Sequence, residues 1–249
     1  MISMSGVTVY RPLAWRFMPV MTLIAWLGTV PVALALQPGS VKATYDIYKG
    51  SLKIARVEES FAREDGHYSV TSTTHATGLL ALFRPGSIVI SSNGMIREQG
   101  LRPLSFSDRR DGDSSRNRNA EFDWANGKLT LVKPDQRTAV ALPDDTQDRL
   151  SAMYQFMFLP LEKMDTLSFH MTNGSKLDIY NYRITHGQSV TVPLGTFKAS
   201  YVSSVPEPGT SRTEIWLAEE HANFPYKMVI TDPDGDKITQ ELTRFDLTP

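Results

Sequence analysis

Apolar and polar residues alternate along most of this chain with a period of two. Val41, Ala43, Tyr45 and Ile47 interleave with Lys42, Thr44, Asp46 and Tyr48, the pattern of a strand with one buried and one wet face. Lys49-Gly50 turns the chain into Leu52-Lys53-Ile54, and Asp65-Gly66 is a strong hairpin signal before the Thr-, Ser- and Val-rich run Tyr68 to Thr77. The alternation returns at Phe122 and Trp124, at Leu167, Phe169 and Met171, and at Ile238 and Leu242. Asn126-Gly127 and Asn173-Gly174 supply further turns. Short alternating strands joined by regular hairpin turns predict a mainly β fold, an antiparallel sheet that forms an open or closed barrel or a sandwich.

One segment breaks the period. Leu150, Met153, Tyr154, Met157 and Phe158 follow helical spacing and predict an amphipathic helix over 146–158, with Asp145 as N-cap, Asp148 in the first turn and Pro160 as the stop. Such a helix lays its apolar face on the sheet or plugs an open barrel. Its Met and aromatic residues read first as core; the alternative is the lining of a ligand cavity, for which methionine is well suited.

Two stretches fit neither period. Gly78 to Gly86, with Leu79, Leu80, Leu82 and Phe83, is a compact apolar run that reads as a buried crossover turn. Its alternative role is an apolar lip touching lipid or covering a pocket. Ser107 to Asn119 mixes Arg109, Arg110, Arg116 and Arg118 with Asp108, Asp111 and Asp113, and reads as a solvated hairpin loop.

The first 35 residues differ from the rest. They carry Arg11 and Arg16 and no acidic residue, then an apolar stretch from Phe17 to Leu36 that includes Ala33-Leu34-Ala35. That order predicts a secretory signal peptide over 1–35, cleaved after Ala35, and one β-rich periplasmic domain over 36–249. A retained anchor is the competing reading, because the apolar stretch is close to the roughly 20 residues that cross a bilayer; Pro19, Pro31 and the small-residue end favour cleavage.

Composition narrows the function. Without Arg11 and Arg16, 24 of the 26 basic residues remain against 27 acidic ones, a net charge of −3. That offers no electrostatic footprint for nucleic acid. The absence of cysteine removes disulfides, thiolate metal sites and cysteine nucleophiles. No G-x-S-x-G, H-E-x-x-H or phosphate-cradling glycine loop occurs. His67, His75, His170, His186 and His221 have no metal-ligand spacing. Asp232-Pro233-Asp234-Gly235-Asp236 starts like a calcium loop, but its twelfth position is Thr243, and a turn explains the same residues. No cofactor, no metal and no catalytic residue is expected.

Five stretches in order, Tyr45 to Gly50, Gly100 to Phe106, Ala120 to Trp124, Gln147 to Gln155 and Thr213 to Leu217, resemble domain-of-unknown-function family 3108, a set of exported bacterial proteins. The resemblance covers most of residues 41–245. It implies a β-rich periplasmic domain and supplies no catalytic residues. Ile215-Trp216-Leu217 followed by Asn223 to Lys227 is also similar in pattern to the open-barrel carriers of the Lol system, an analogy that does not establish function.

Two functions follow as expectations. The first is a non-enzymatic carrier whose sheet wraps on the helix and encloses a lipid, acyl chain or hydrophobic peptide. Leu79, Leu82 and Phe83 would then meet the ligand from one side, with Met153 and Met157 from the other. The second is a structural or assembly factor of the cell envelope that binds a protein partner. Trp124 and Trp216 are expected in the core under both.

Overall fold

The computed structural model describes residues 39–78, 81, 86–205 and 208–248. The chain divides into two units, Met1–Leu34 and Ala35–Pro249, and every described residue belongs to the second. The expected signal peptide therefore lies outside the described residues, as do Leu79, Leu80, Leu82 and Phe83 of the expected lip.

Eight strands run as an antiparallel meander: β1 (Ser40–Lys49), β2 (Leu52–Glu64), β3 (His67–Ala76), β4 (Ser87–Arg97), β5 (Gly100–Arg110), β6 (Arg118–Asp123), β7 (Lys128–Lys133) and β8 (Gln136–Ala141). A two-residue strand follows, β9 (Gln147–Asp148), and then a second meander: β10 (Thr166–Thr172), β11 (Leu177–Val192), β12 (Gly195–Ser204), β13 (Arg212–Ala218), β14 (Phe224–Thr231) and β15 (Lys237–Thr248). β1 pairs with β15, so both meanders form one sheet of order 8-7-6-5-4-3-2-1-15-14-13-12-11-10-9. All pairings are antiparallel except β9 with β10.

That order forces curvature. Fourteen inter-strand steps of about 4.8 Å would make a flat sheet roughly 70 Å wide. Yet the two edge strands, β8 and β9, are consecutive in sequence, separated only by residues 142–146. Six residue steps span at most about 21 Å, so the sheet curls until its edges nearly meet. The result is an open barrel with a seam between β8 and β9.

The alternation seen in the sequence is the inside-outside alternation of this barrel. Val41, Ala43 and Tyr45 of β1 are buried beside Val57 and Phe61 of β2, Tyr68 and Val70 of β3, and Leu242 of β15. Asp65-Gly66 forms the β2–β3 turn with positive φ at both residues (47° and 75°), the geometry that matches strand twist in a two-residue hairpin. Asp232 to Asp236 forms the β14–β15 turn: the Gly235 N–H donates to the Asp232 carbonyl (3.0 Å) and the Asp236 N–H to Asp232 Oδ1 (2.9 Å).

The segment after β9 fills the barrel. A long helix over 146–158 was expected; the chain instead forms β9, one α-helical turn (Ser151–Gln155) and a 3-10 turn (Phe156–Phe158). Asp145 is not the helix N-cap: Leu150 stands at that position without a side-chain cap bond, and Asp148, two residues earlier, holds the helix start. Asp148 Oδ1 accepts from the N–H groups of Leu150 (2.9 Å) and Ser151 (2.8 Å), while Asp145 pairs with His170 (2.7 Å). Gln147 and Asp148 are drawn into an extended conformation because they pair with Met171 and Thr172 of β10. The short helix bridges two apolar clusters, sending Tyr154 and Met157 into one and Ala152 and Phe156 into the other. Tyr154 stacks on Phe61 (5.3 Å between centroids) and meets Phe224 edge-on (5.6 Å).

Strand parity also corrects the reading of Ser107 to Asn119. β5 continues to Arg110, so Asp108 turns inward and is 4% exposed, paired with Arg149 (2.8 Å) and Arg110 (3.6 Å). Only the turn beyond Arg110 is a solvated loop.

Candidate functional site

The seam holds a cleft of about 590 Å³. Its floor is apolar, made by Leu101 of β5, Leu159 after the 3-10 turn, and Leu167 and Phe169 of β10. Trp124, at the end of β6, forms one wall. The rim is charged: Arg97 and Arg102 on one side, Asp144 and Asp145 on the link between the sheet edges. Trp124 was expected in the core; it is half-buried, with the Arg102 guanidinium 4.3 Å above its ring. Trp216 is also half-buried, packed on Tyr201 (5.0 Å) and, like Trp124, against the margin of the larger core cluster, while Ile215 and Leu217 on either side of it are fully buried.

Two strand edges border this cleft, and they are finished differently. On β5, β6 pairs only with Ser105 to Asp108, which leaves the backbone from Leu101 to Pro103 without a neighbouring strand on that side. Side chains take its place. The Leu101 N–H donates to Gln155 Oε1 (2.7 Å), and Gln147 Nε2 donates to the Leu101 carbonyl (2.8 Å). Trp124 Nε1 donates to the Pro103 carbonyl (2.6 Å), and proline has no N–H to satisfy. Gln155 Nε2 also donates to the Gln99 carbonyl (2.8 Å). Gly100 makes this approach possible: its φ is +108°, and a Cβ there would stand 2.4 Å from Gln155 Oε1.

The β10 edge has no such cover. The Ile184 N–H donates to the Asp165 carbonyl, so alternation of the antiparallel ladder places the bonded pairs with β11 at Leu167, Phe169 and Met171. The backbone groups of Ser168, His170 and Thr172 face the other way. On that side β9 pairs with Met171 and Thr172; since the Met171 backbone bonds β11, this parallel pairing sets the Gln147 N–H on the His170 carbonyl, and the Arg149 N–H takes the Thr172 carbonyl (3.0 Å). β9 extended backwards would cover Ser168 and His170, but a turn prevents it: the N–H and hydroxyl of Thr146 both bond the Pro143 carbonyl (3.2 and 2.7 Å). Among the described residues, no strand meets the Ser168 N–H and C=O or the His170 N–H on the open side.

Gln147 is 7% exposed, and among the described residues its Oε1 has no hydrogen-bond partner. Beside it Asp148 is fully buried, bonded by Ser92 Oγ (2.5 Å). Burial lifts the Asp148 carboxyl above its ordinary value, against the hydrogen bonds from Ser92, Ser151 and Leu150.

The residues expected to meet a ligand fall elsewhere. Met157 is packed in the core beside Tyr154. Met153 lines a small pocket of about 20 Å³ with Tyr45, Glu59 and Phe224, about the size of one water molecule. The structure does not bring either to the seam cleft, and Leu79, Leu82 and Phe83 lie outside the described residues. Sequence reasoning passed over Gln147, Gln155 and Ser168. The available signal was two glutamines flanking an apolar helical run, where a core face calls for hydrocarbon.

A family profile described as "Protein of unknown function (DUF3108)" matches residues 44–243. The chain belongs to the DUF3108 family. Three of the five stretches that carry the sequence resemblance, Gly100 to Phe106, Ala120 to Trp124 and Gln147 to Gln155, meet at the seam cleft of this DUF3108 protein. No curated protein matches it. Among solved structures it is similar to a β-barrel-like DUF1849 protein from Brucella abortus, with a TM-score of 0.56 and 10% identity over 86% of this chain and 100% of that one. That likeness shows the barrel-like fold. A candidate exported protein of YmcC-like fold from Bacteroides fragilis follows at a TM-score of 0.36 and 12% identity, covering 84% of this chain and 96% of that one. A candidate lipoprotein from Parabacteroides distasonis has a TM-score of 0.32 and 11% identity, covering 84% and 95%.

Proposed function

We propose that this DUF3108 protein is a non-enzymatic binding module of the periplasm, made with a cleaved signal peptide, and that the seam cleft takes a lipid or other hydrophobic ligand. The observation that carries this reading is the cleft's construction. An apolar floor of Leu101, Leu159, Leu167 and Phe169 lies under a charged rim, and ligand sites combine such walls with a few placed polar groups. A barrel filled by Phe61, Tyr154, Met157 and Phe224 moves the site from the interior to the seam. Histidine chemistry offers little support for an enzyme. Ser200 Oγ lies 3.5 Å from His186 Nδ1, but Ser200 is buried and also bonds Glu219 (3.3 Å).

A fluorescent fatty acid titrated into the protein, with native mass spectrometry of the gently purified chain, tests the proposal. Leu167→Asp places a charge on the cleft floor and should weaken binding roughly ten-fold, about 1.4 kcal/mol, with melting retained. Binding that is unchanged in Leu167→Asp would move the site away from the seam. The second reading, an assembly factor that binds a protein partner, is favoured by the uncovered β10 edge.

A further inference from the structure

Two features of the cleft are unexplained by an apolar ligand. One is the open edge of β10, where, among the described residues, the backbone N–H and C=O of Ser168 and the N–H of His170 face away from β11 and meet no strand. The other is Gln147 Oε1, a buried acceptor without a donor in a side chain that lines the same cleft. A buried acceptor left unpaired is destabilising, and a hydrocarbon chain supplies no donor for it. An extended polypeptide does. Its N–H groups can serve the Ser168 carbonyl and, on a turn of the Gln147 side chain toward the cleft, Oε1, and its own carbonyls can accept from the N–H groups of Ser168 and His170.

We infer that the occupant of the seam cleft is an extended polypeptide segment, added to the β10 edge as a new strand and carrying apolar side chains at alternate positions. The inference rests on the reading of the cleft as the binding site and names its ligand class. Strand addition of this kind draws affinity from main-chain hydrogen bonds and specificity from pockets for every second side chain. The cleft has both parts. β10 offers its edge from Thr166 to His170, roughly 16 Å at about 3.3 Å per residue. Leu101, Leu159, Leu167 and Phe169 offer apolar contact for the residues that turn inward. The site also limits the length of strand it accepts. β9 already occupies the edge at Met171 and Thr172, so an added strand ends there. Arg97 and Arg102 at one rim and Asp144 and Asp145 at the other favour a segment without a block of like charge.

Proline at position 168 separates edge pairing from simple apolar binding. The Ser168 N–H faces the open side, so its removal leaves the ladder to β11 intact, and proline is tolerated on an edge strand in that orientation. The probe is a fluorescein-labelled peptide of about eight alternating valine and threonine residues, flanked by lysines. The wild-type protein should bind it, and Ser168→Pro should bind roughly ten-fold more weakly with an unchanged melting temperature. In the wild type, amide exchange at Ser168 and His170 should slow when peptide is added; this measurement decides the matter if Ser168→Pro fails to fold. Equal peptide binding by Ser168→Pro, or no slowing at Ser168 and His170, would overturn strand addition. If the fluorescent fatty acid binds at the cleft and the peptide does not, the inference fails while the binding module stands. If neither binds, both fail.

Discussion

The two strand edges that border the seam cleft have the same problem and different outcomes. On β5, three side chains act as a substitute strand: Gln155 and Gln147 take both backbone groups of Leu101, and Trp124 takes the carbonyl of Pro103. On β10 the N–H and C=O of Ser168 and the N–H of His170 stay open. An exposed strand edge is a template for pairing with another chain, so an edge finished by side chains is closed to partners and an unfinished edge is available. The contrast lies within one cleft, and neither edge shows in a hydrophobic pattern, because backbone groups are the same at every residue.

The largest effect should come from attacking the finished edge from behind. Gly94 packs on β5 so closely that a Cβ would sit 2.2 Å from the Arg102 carbonyl oxygen and 2.8 Å from the Pro103 Cα. Those are backbone atoms and cannot rotate away, so Gly94→Ala should cost about 3 kcal/mol or more, seen as a lower urea midpoint. Adjacent prolines on the open edge should differ almost as much from each other. Leu167→Pro removes an N–H bonded to β11 and should cost roughly 3 kcal/mol, whereas Ser168→Pro removes an outward N–H and should cost less than about 0.5 kcal/mol. Equal losses in the two would mean that the assignment of bonded and open positions along β10 is reversed.

Removing one substitute should come next. Gln155→Ala strands the Leu101 N–H and the Gln99 carbonyl, so a loss of about 1–3 kcal/mol is expected, with faster amide exchange at Leu101. Unchanged exchange there would show that the glutamine does not finish the edge. The smallest effect is a slope with pH. Burial holds the folded-state pKa of Asp148 above its ordinary 3.8, so the folded chain binds this proton more tightly than the unfolded one. The associated stability is fully present below pH 3.8 and is lost as pH rises through the folded-state value. Asp148→Asn should flatten that part of the stability profile in urea titrations between acid and neutral pH. A slope that persists unchanged would assign it to another buried group, of which Glu59 is the nearest in kind, its carboxyl also raised by burial.

The mainly β fold was legible because period-two burial is a direct consequence of strand geometry, as Val41, Ala43 and Tyr45 show. The helix was legible in kind and overlong in extent. Its apolar spacing from Leu150 to Phe158 was real, but the strand pairing of Gln147 and Asp148 with β10 depends on residues more than twenty positions away. Tertiary pairing therefore overrode local propensity at its start. The site was the least legible part. Met153 and Met157 carried the chemical character of a cavity lining, yet the aromatic rings of Phe61, Tyr154 and Phe224 fill the space in which a cavity would form. The glutamines that shape the seam matter through bonds to backbone, and sequence spacing does not encode such bonds.

The pairing of β1 with β15 has a kinetic meaning. It joins the first described strand to the last, and the Thr243 hydroxyl of β15 reaches the Thr44 carbonyl of β1 across 199 positions; beside it the Tyr45 hydroxyl reaches the Pro225 carbonyl of β14 across 180. Each meander is built from neighbouring hairpins and can assemble locally, but the contact between them must wait for nearly the whole chain. High contact order slows folding because loop entropy is lost before the distant contacts form. During synthesis or refolding, β1 therefore has β2 on one flank and nothing on the other until β15 arrives. For that interval the middle of the finished sheet is an exposed edge, and the speed of its closure sets how long the nascent chain remains open to mispairing.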